Sequence, residues 1–326
     1  MIPQKNKKIK TAIIGLGKIA WAYEENKSVS KIMNFPTHLS VLRSHPKFQL
    51  VAAQDKNKKA RDLFFKKTKA LKMEVAIYAD WEKMIAQESP DLLVVASNTE
   101  SHIAICSRAI NLGVKNILCE KPLSYSLAQA KKLVEKAKKK NCVLHVNYSR
   151  ASNPAYINLI KMVRDETLGR IQSFDAKYSG GVFNNGTHII DLLIRMFGEP
   201  DLVRGFYYSD HSINSSDPTL SAFIKFKNNV SGYIYGLHDI RYRIFEFELD
   251  ILGEFGRLRA INGRAELTMK DSPKKKLIAI AGELYPVYDN IYSYFVSRNL
   301  AKINCSGQDS LKSLALADKL IKSIKK

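Results

Sequence analysis

Two patterns of apolar and polar residues divide the chain. In the first 150 residues, short apolar runs alternate with longer segments in which apolar positions recur every three or four residues. The short runs are typical of buried strands, and the longer segments are typical of amphipathic helices. The predicted strands are Lys8–Ile14, Phe48–Gln54, Val75–Tyr78, Asp91–Ala96, Asn116–Leu118 and Cys142–Val146. The predicted helices are Thr37–Arg43, Asp55–Lys67, Asp80–Gln87, Ser101–Leu112 and Leu127–Lys139. This alternation predicts an α/β domain with a doubly wound parallel sheet.

Beyond residue 150 the pattern changes to strands in which apolar and polar positions alternate. A predicted helix at Pro154–Asp165 precedes these strands. The predicted strands are Ile171–Tyr178, Ser221–Lys227, Val230–Leu237, Phe245–Leu252 and Gly256–Ala260. Asn228 and Asn229 indicate a short turn between the second and the third of them. We therefore predict an α+β domain with a large, mostly antiparallel sheet over residues 151–326, and we place the boundary near residues 148–153.

The first predicted strand runs directly into a glycine-rich turn, GLGKIA, at residues 15–20. Gly15 permits a tight turn, Gly17 permits close approach of the backbone to a pyrophosphate, and the small Ala20 lets a helix pack on the strand. The N–H groups at the start of that helix would bind the phosphates. Although glycine pairs also occur in ordinary strand-to-helix turns, the pattern predicts a dinucleotide site that includes Gly15, Gly17, Lys18 and Ile19.

An acidic residue, Asp55, follows the second predicted strand. A carboxylate in this position accepts hydrogen bonds from ribose hydroxyls and repels a 2′-phosphate, so the sequence favours NAD over NADP. Lys56 beside it weakens that preference. Asp55 lies further from the glycines than the usual spacing of about 20 residues, and we interpret residues 21–36 as an insertion. The alternative role for Asp55 is the N-cap of the next helix.

Composition and charge add limits on the class of protein. With 326 residues, 45% of them hydrophobic and 25% charged, the chain is long enough for two domains with sizeable cores. The formal net charge of +21 raises the question of nucleic-acid binding. The lysines are spread along the chain, and the densest run, residues 131–140, has the spacing of a solvated helix face. No zinc-ligand spacing or RNA-binding motif accompanies them, so we expect no nucleic acid as partner. The charge would instead attract an anionic substrate.

The sequence also bears on location and on metals. Apolar runs such as Leu92–Ala96 are too short to span a bilayer, and no apolar segment follows the first five residues. The four cysteines show no C-x-x-C spacing and lie in apolar patterns. We therefore expect a cytoplasmic protein with buried thiols and no membrane partner. The histidines show no metal-ligand spacing, so we expect no metal.

Four motifs occur along the chain in an order that is found in one enzyme family. They are GLGKIA at residues 15–20, ASNTESH at residues 96–102, CEKP at residues 119–122 and GGVFNNGTHIID at residues 180–191. On these motifs the chain resembles, over nearly its whole length, the Gfo/Idh/MocA family of nicotinamide-dependent oxidoreductases, which act mostly on sugars, inositols and related polyols. The resemblance implies an NAD-binding Rossmann domain at residues 1–150 and a substrate-binding and oligomerisation domain at residues 151–326. It also implies a homodimer or homotetramer.

The resemblance assigns the chemistry to Lys121 and His188. Oxidation of a secondary alcohol needs a base for the hydroxyl proton and a positive group near the oxygen. Lys121 would polarise the oxygen, and His188 would be the acid/base because imidazole titrates close to neutral pH. The same motifs imply cofactor contacts by Ser97, Asn98, His102, Glu120 and Lys121. Among these, His102 is expected to pack or cap near the cofactor and not to react.

Further residues are candidates for substrate binding. They are Tyr148, Arg150, Asn184, Asn185 and His188. A packing or surface role is the open alternative for Tyr148 and Arg150, and the fork of Arg150 suits a carboxylate or phosphate. Asp191 would either orient His188 or serve as the first-turn acid of an apolar helix at Leu192–Phe197. Free sugars and nucleotide-linked sugars both remain open as substrates.

Position 184 departs from the family pattern. Many members have an aspartate four residues before the histidine as a partner in proton transfer, whereas this chain has Asn184. An asparagine cannot take up a proton. Either His188 acts without that relay, or Asn184 and Asn185 bind substrate hydroxyls. The alternative function is a catalytically silent, cofactor-binding sensor or regulatory protein.

Overall fold

The chain divides into two compact units that are interleaved in sequence. The computed structural model describes residues 8–25, 37–207, 216–237, 247–261, 264–279, 285–297 and 305–324. The first unit comprises residues 1–124, 128–149 and 283–308, and the second comprises residues 125–127, 150–282 and 309–326. A single boundary near residue 150 therefore does not describe residues 283–308, which belong with the first unit.

The first unit is built on a six-stranded parallel sheet with the strand order β3-β2-β1-β4-β5-β6. The strands are β1 (Ile9–Ile14), β2 (Phe48–Gln54), β3 (Ala76–Tyr78), β4 (Leu92–Val95), β5 (Asn116–Cys119) and β6 (Val143–Val146). The helices between them are α1 (His38–Ser44), α2 (Lys58–Ala70), α3 (Trp81–Glu88), α4 (Thr99–Asn111) and α5 (Leu127–Lys139). The strand order reverses between β1 and β4, which is where doubly wound sheets bind ligands.

The core of the first unit covers both faces of this sheet. All four residues of β4 are fully buried, as expected of a parallel strand with helices on both sides. On α2, Phe64 is fully buried with its ring edge against Trp21. The indole N–H of Trp21 donates to the carbonyl of Leu16 at 3.0 Å. Burial of each large apolar side chain contributes about 1.5–3 kcal/mol, so these contacts fasten the segment after the glycine turn to α2.

The second unit contains an eight-stranded, mostly antiparallel sheet with the order β14-β13-β12-β11-β7-β10-β9-β8. The strands are β7 (Ile171–Ser179), β8 (Pro200–Tyr207), β9 (Leu220–Phe226), β10 (Ser231–Leu237), β11 (Phe247–Gly253), β12 (Gly256–Ile261), β13 (Arg264–Met269) and β14 (Ser272–Ala279). Only β7 and β10 pair in parallel among these described strands. Two helices, α6 (Pro154–Arg164) and α7 (Thr187–Phe197), belong to the same unit.

The two faces of this sheet differ in burial. On one face, Phe197 of α7 packs its ring 5.4 Å from the rings of both Phe174 and Phe226. On the other face, the rings of Phe223 and Tyr233 lie 5.3 Å apart, and Tyr233 is 44% exposed. The alternation of apolar and polar positions within each strand produces the first face. The second face carries aromatic side chains that remain accessible.

The two C-terminal helices described by the structure belong to different units. Helix α8 (Tyr285–Ser297) belongs to the first unit, where Tyr292 is fully buried with its ring 5.1 Å from that of Phe48. Helix α9 (Gly307–Ile324) lies mainly in the second unit, where Ser323 Oγ accepts a hydrogen bond of 2.7 Å from the N–H of Gly205.

The structure confirms the predicted fold class. Strand β2 and helix α5 have the predicted bounds, and Asn229 adopts a φ of 67° in the predicted turn. The sequence analysis missed β8, β13, β14, α8 and α9. Most of the insertion and the start of the predicted strand Phe245–Leu252 lie outside the described residues. Across the described ranges, no helix is both long and apolar enough to cross a membrane, and no cluster of potential metal ligands occurs.

Candidate functional site

A cavity of about 730 Å³ lies at the carboxyl ends of β1, β2 and β4 in the first unit. Its lining brings together many of the residues that the sequence motifs single out. They are Gly15, Gly17, Asp55, Lys56, Ser97 and Asn98. The lining also includes residues that the sequence analysis did not assign to the site. They are Ile14, Gln54, Ala79, Asp80, Trp81, Ala96, Ser101, Ala104 and Ile105. The cavity occupies the position at which strand order reverses, as expected of a dinucleotide site.

The two glycines of the turn have different physical reasons to be glycine. Gly15 has a φ of +91°, and a Cβ atom there would lie 2.6 Å from the backbone nitrogen of Ser97. Gly15 therefore permits both the turn and the close approach of the next loop. A Cβ atom on Gly17 would meet no protein atom within 4 Å. Its missing side chain faces open space, which agrees with the approach of a ligand to the backbone.

No regular α-helix follows the glycine turn directly; the regular helix comes after the insertion, at His38–Ser44, close to the predicted helix Thr37–Arg43. The N–H groups of Trp21 and Ala22 donate to the carbonyl of Gly17 in an irregular helical turn, and a short 3₁₀ helix, Ala22–Glu25, comes next. The regular helix is α1, whose first N–H groups complete the turn. His38 donates to the carbonyl of Ile19 at 3.1 Å, and Leu39 donates to the carbonyl of Ala20 at 2.9 Å. The insertion thus interrupts the expected helix, and backbone hydrogen bonds join its two parts.

Asp55 is held in place by backbone donors on both sides of its carboxylate. Oδ2 accepts from the N–H of Leu16 at 2.8 Å, and Oδ1 accepts from the N–H of Asn57 at 2.8 Å. The N-cap of α2 is Asn57, so the alternative interpretation of Asp55 as that N-cap is wrong. Arg61 donates to the backbone carbonyls of Asp55 and Lys56 and fixes the turn between β2 and α2. The carboxylate keeps lone pairs that can accept from a ribose hydroxyl.

The loop after β4 is stabilised by its own side chains. Ser101 Oγ lies 2.8 Å from Ser97 Oγ and donates to the carbonyl of Asn98 at 2.7 Å. The ring nitrogens of His102 lie 3.0 Å from the carbonyl oxygen of Ser97 and 2.9 Å from that of Pro122. Burial lowers the pKa of His102, against the opposing effect of these carbonyls. His102 thus braces this loop against Pro122, in agreement with the packing role expected for it.

Glu120 is buried in a hydrogen-bonded network next to Lys121. Its Oε1 accepts from Asn147 Nδ2 at 2.6 Å and lies 3.0 Å from Nε2 of His38. Nδ1 of His38 lies 2.9 Å from the hydroxyl of Tyr292. Burial raises the pKa of Glu120, but the hydrogen bonds from His38 and Asn147 and the charge of Lys121 outweigh it and lower the pKa. The network holds an ionised Glu120 beside Lys121, which precedes Pro122 across a cis peptide bond.

In the second unit, the motif at residues 180–191 forms a tight turn and the start of α7. A single π-helical turn, Val182–Gly186, leads into α7, and Thr187 Oγ1 donates to the carbonyl of Phe183 at 2.6 Å. Within this motif, Asn184 is exposed, whereas His188 is only 7% exposed. Asn185 Nδ2 donates to the carbonyl of Ser179 at 2.7 Å, so this amide shapes the turn. Single π-helical turns are frequent at functional sites.

Asp217 is a residue of this turn's surroundings that the sequence analysis missed. Its carboxylate accepts from the N–H groups of Phe183 and Asn184. Residues 216–219 lie outside the four motifs. The only sequence signal for a residue such as Asp217 is therefore the glycine pair at residues 180–181, where the turn starts.

Asp191 has partners that change its interpretation. Asp191 lies in the second turn of α7, which begins at Thr187, so it is not a first-turn acid. Its carboxylate accepts from Arg195 Nε at 2.7 Å and from Ser313 Oγ at 3.3 Å. Burial raises the pKa of Asp191, against the effect of Arg195.

Tyr148 and Arg150, which follow β6, both contact other residues of the protein. Tyr148 is 1% exposed, and its carbonyl accepts from the thiol of Cys305 at 3.4 Å. In the second unit, the guanidinium of Arg150 lies 5.1 Å from the centre of the Phe247 ring. These contacts favour a packing role for Tyr148. Arg150 is half-buried, and its charge is supported by the aromatic face.

Known proteins are similar to this chain, and a family model matches part of the first unit. A family model described as "Oxidoreductase family, NAD-binding Rossmann fold" (GFO_IDH_MocA) matches residues 9–148. A curated relative, myo-inositol 2-dehydrogenase from Thermotoga maritima, is 27% identical over 209 residues, which cover 57% of this chain and 61% of the relative. The alignments with the first curated relatives span about half of those proteins' lengths.

Solved structures share the fold over nearly the whole chain. The WlbA dehydrogenase from Bordetella pertussis, in complex with NADH and UDP-GlcNAcA, has a TM-score of 0.75 at 20% identity. That alignment covers 98% of this chain and 97% of the WlbA chain. A super-repressor mutant of Gal80p from Saccharomyces cerevisiae has a TM-score of 0.77 at 16% identity, with 98% of this chain and 97% of that chain covered. At these identities the likeness concerns the fold alone.

Proposed function

Residues 9–148 belong to the Gfo/Idh/MocA family of NAD-binding oxidoreductases, and from this premise we propose that the protein is an NAD-dependent sugar or polyol dehydrogenase or reductase. It transfers hydride between the nicotinamide and a secondary alcohol or ketone of a sugar, an inositol or a nucleotide-sugar. The observation that carries this proposal is the cavity at the carboxyl ends of β1, β2 and β4, which gathers the glycine turn, Asp55 and the loop after β4.

The described residues fit the binding of NAD at this cavity. Open space beside Gly17 leaves its backbone accessible to a pyrophosphate. Asp55 is fixed by the N–H groups of Leu16 and Asn57, so its carboxylate is preorganised to accept from ribose hydroxyls. A 2′-phosphate in the same place would meet this negative charge. In this proposal, Lys18, Ile19, Ser97 and Asn98 add contacts along the cofactor, and Lys56 lies at the ribose end.

In this proposal, the chemical step depends on Lys121 and His188. When bound, NAD accepts or supplies the hydride. Lys121 carries the positive charge that polarises the substrate oxygen, and such electrostatic stabilisation is often the largest single contribution to catalysis. His188 takes up or returns the hydroxyl proton, because an imidazole titrates near neutral pH. Asn184 and Asn185 lie in the π-helical turn that precedes His188, and the exposed Asn184 binds a substrate hydroxyl in this proposal.

The relatives and the net charge of the chain support a sugar, polyol or nucleotide-sugar as the substrate. Myo-inositol 2-dehydrogenase is a curated relative, and the WlbA structure contains UDP-GlcNAcA. A formal net charge of +21 favours encounter with anionic molecules such as nucleotide-sugars. Arg150, supported on Phe247, is the residue that we propose to contact a phosphate or carboxylate group of such a substrate.

The first experiment is a titration of the purified protein with NADH and with NADPH. Trp81 lines the cavity, whereas Trp21 is buried against Phe64, so energy transfer from Trp81 reports cofactor binding. We expect NADH to bind at least tenfold more tightly than NADPH. Asp55→Ala should reduce this preference, and Trp81→Phe should weaken the energy-transfer signal more than Trp21→Phe. Failure of both cofactors to bind would contradict the proposed dinucleotide site, on which the whole proposed function depends.

A second candidate function is a catalytically silent sensor or regulator that binds cofactor and sugar. The observation that favours it is Asn184, an exposed amide at the position where many family members have a proton-accepting aspartate. The likeness in fold to Gal80p is compatible with this candidate. Reduction of NAD⁺ that depends on myo-inositol or UDP-GlcNAcA would exclude it.

We further propose that the open face of the second unit's sheet mediates a homodimer or homotetramer. This face carries accessible aromatic side chains. Among them, Tyr233 is 44% exposed and Phe206 is 50% exposed, which is unusual for a surface that meets only water.

All four cysteines are free and buried, which supports a location in the reducing cytoplasm. Light scattering and cell fractionation test these two proposals separately.

A further inference from the structure

We infer that Asp217 is a positioning residue, which holds in a single conformation the turn that carries Asn184 and leads into the helix of His188. This inference rests on the function proposed above, because it assigns Asp217 to the substrate side of that reaction. The carboxylate is 7% exposed. Its Oδ1 accepts from the N–H of Phe183 at 2.7 Å, and its Oδ2 accepts from the N–H of Asn184 at 3.1 Å. Both oxygens therefore bind consecutive N–H groups at the start of the π-helical turn.

The residues that follow Asp217 extend this contact on both sides. The carbonyl of Pro218 accepts from the N–H of Val182 at 2.9 Å. Thr219 Oγ1 donates to the carbonyl of Gly180 at 2.9 Å. Residues 217–219 thus bind the main chain of residues 180–184 through four hydrogen bonds. We call this arrangement the Asp217 clamp. Hydrogen bonds to a charged carboxylate are stronger than those between neutral groups, so Asp217 is its principal member.

Gly181 shows how closely the clamp is packed. A Cβ atom at this position would lie 2.1 Å from both Cγ and Oδ2 of Asp217, and 2.3 Å from Oδ1. The φ of Gly181 is −74°, which any residue can adopt. The position needs glycine because of the carboxylate and not because of its backbone conformation. The second glycine of the GGVFNNGTHIID motif is therefore explained by Asp217, a residue 36 positions further along the chain.

The clamp acts on the turn that precedes the proposed acid/base. The π-helical turn ends at Gly186, and α7 begins at Thr187, one residue before His188. Movement of Phe183 and Asn184 would shift both the exposed amide of Asn184 and the first turn of α7. The family pattern has a carboxylate on the side chain of position 184, whereas here a carboxylate binds the main chain of the same position. The acidic group at this turn therefore acts on the main chain, in a positioning role.

Hydrogen–deuterium exchange of the full-length protein tests the clamp directly. Asp217→Asn keeps the shape of the side chain but replaces one acceptor oxygen with an NH₂ group, which faces a backbone N–H. We expect the amides of Phe183 and Asn184 to exchange at least tenfold faster in this variant. Asp201→Asn is the matched control, since Asp201 is an exposed residue of β8 in the same unit. Unchanged exchange in Asp217→Asn would overturn the inference.

Turnover with myo-inositol and with UDP-GlcNAcA tests the positioning role. A misplacement of about 1 Å can cost roughly 100-fold in rate. We expect kcat to fall by at least tenfold in Asp217→Asn, while NADH affinity stays within twofold of the wild type. Faster exchange without a fall in kcat would show a merely structural contact and overturn the role. Absence of turnover in the wild type would count against the proposed function and the catalytic part of this inference, whereas the exchange result would still decide the clamp.

A second pair of variants keeps the test valid if Asp217→Asn fails to fold. Gly181→Ala should disturb the clamp from the opposite side, because its methyl group would meet the carboxylate of Asp217. In an Asp217→Ala background the same methyl group has space. We expect Gly181→Ala to accelerate exchange at least tenfold in the wild type and less than twofold in the Asp217→Ala protein. Such non-additivity is typical of residues in direct contact. Equal effects in both backgrounds would contradict the contact.

Discussion

Nε2 of His38 lies 3.0 Å from Oε1 of Glu120, and both side chains are buried in the first unit. His38 is the first residue of α1, and Glu120 is the residue before Lys121. The ring also meets the hydroxyl of Tyr292 on α8 at 2.9 Å. A helix from the C-terminal part of the chain is thereby connected, through His38, to the loop that carries the proposed catalytic lysine.

Removal of His38 should be costly because it leaves a buried carboxylate with one donor fewer. Breaking a buried pair by removing one partner costs about 3–5 kcal/mol. We expect His38→Ala to lower the free energy of unfolding by about 3 kcal/mol in urea titrations. His45→Ala is the control, because His45 is only half-buried and packs its ring edge on Phe48. Equal losses in the two variants would show that the pair with Glu120 is unimportant.

The same network predicts how stability depends on pH. The pKa of Glu120 is lowered in the folded protein relative to its ordinary value of 4.5. A lowered carboxyl pKa contributes stability above the unfolded value, and this contribution is lost as the pH falls through the folded value. We expect the wild type to keep the contribution of Glu120 at pH 5 and to lose it below about pH 4.5.

In His38→Ala the main effect opposing burial disappears, so the pKa of Glu120 should rise. The stability that Glu120 loses on acidification should then be smaller than in the wild type, or reversed in sign, because the folded pKa approaches or exceeds the unfolded pKa. Urea titrations at half-unit steps between pH 3.5 and pH 7 measure this difference. Parallel curves for the two proteins would contradict the assignment of this pH dependence to the pair.

The two glycines of the turn should respond differently to the same substitution. Gly15→Ala places a Cβ atom 2.6 Å from the backbone of Ser97 at a φ of +91°, so we expect a loss of at least about 2 kcal/mol in stability. Gly17→Ala meets no protein atom, so its stability should stay within about 0.5 kcal/mol. Its NADH affinity should nevertheless fall at least tenfold. Unaltered NADH binding in Gly17→Ala would mean that the pyrophosphate lies elsewhere.

Lys121→Ala should separate chemistry from cofactor binding. The charge of Lys121 is needed for the substrate oxygen, whereas the cavity lining at Gly17 and Asp55 is unaffected. We expect turnover to be abolished and NADH affinity to remain within severalfold of the wild type. The exposed Lys115, immediately before β5, provides a Lys115→Ala control. Turnover that survives in Lys121→Ala would refute the role assigned to the lysine.

The open sheet face predicts a change in oligomeric state. Tyr233→Asp introduces a charge among aromatic side chains, and we expect it to shift the protein to monomers in multi-angle light scattering. Leu63→Asp is the matched control, because Leu63 on α2 is similarly exposed, at 46%. If Leu63→Asp dissociates the protein and Tyr233→Asp does not, the interface involves the first unit instead.

Local signals made much of the first unit predictable. Strand β2 is a mostly apolar segment, and α5 has a regular apolar spacing, so their bounds follow from the local pattern. The helix after the insertion was also predictable, since the predicted Thr37–Arg43 differs by one residue at each end from the observed His38–Ser44. Strand β14 contains a lysine-rich stretch, residues 274–276, which hides its alternation.

The candidate site shows the same division between local and distant information. Gly15, Gly17, Asp55 and the loop after β4 are recognisable because each follows a strand end. The roles of His38 and Asp217 depend on partners 82 and 34 residues away in the chain, respectively. Sequence spacing carries no signal for such contacts in a single chain. Asp191 was misjudged for the same reason, since its partner Ser313 lies on α9.

The backbone bonds from Leu39 to Ala20 and from His38 to Ile19 have a consequence for the evolution of this chain. They bring together the points at which the polypeptide leaves the glycine turn and returns to it. The entropy of closing a loop grows only slowly with its length, so residues between these points can be added or removed at little cost to the fold. New recognition sequences can therefore be acquired beside the cofactor cavity without rebuilding the domain that binds NAD.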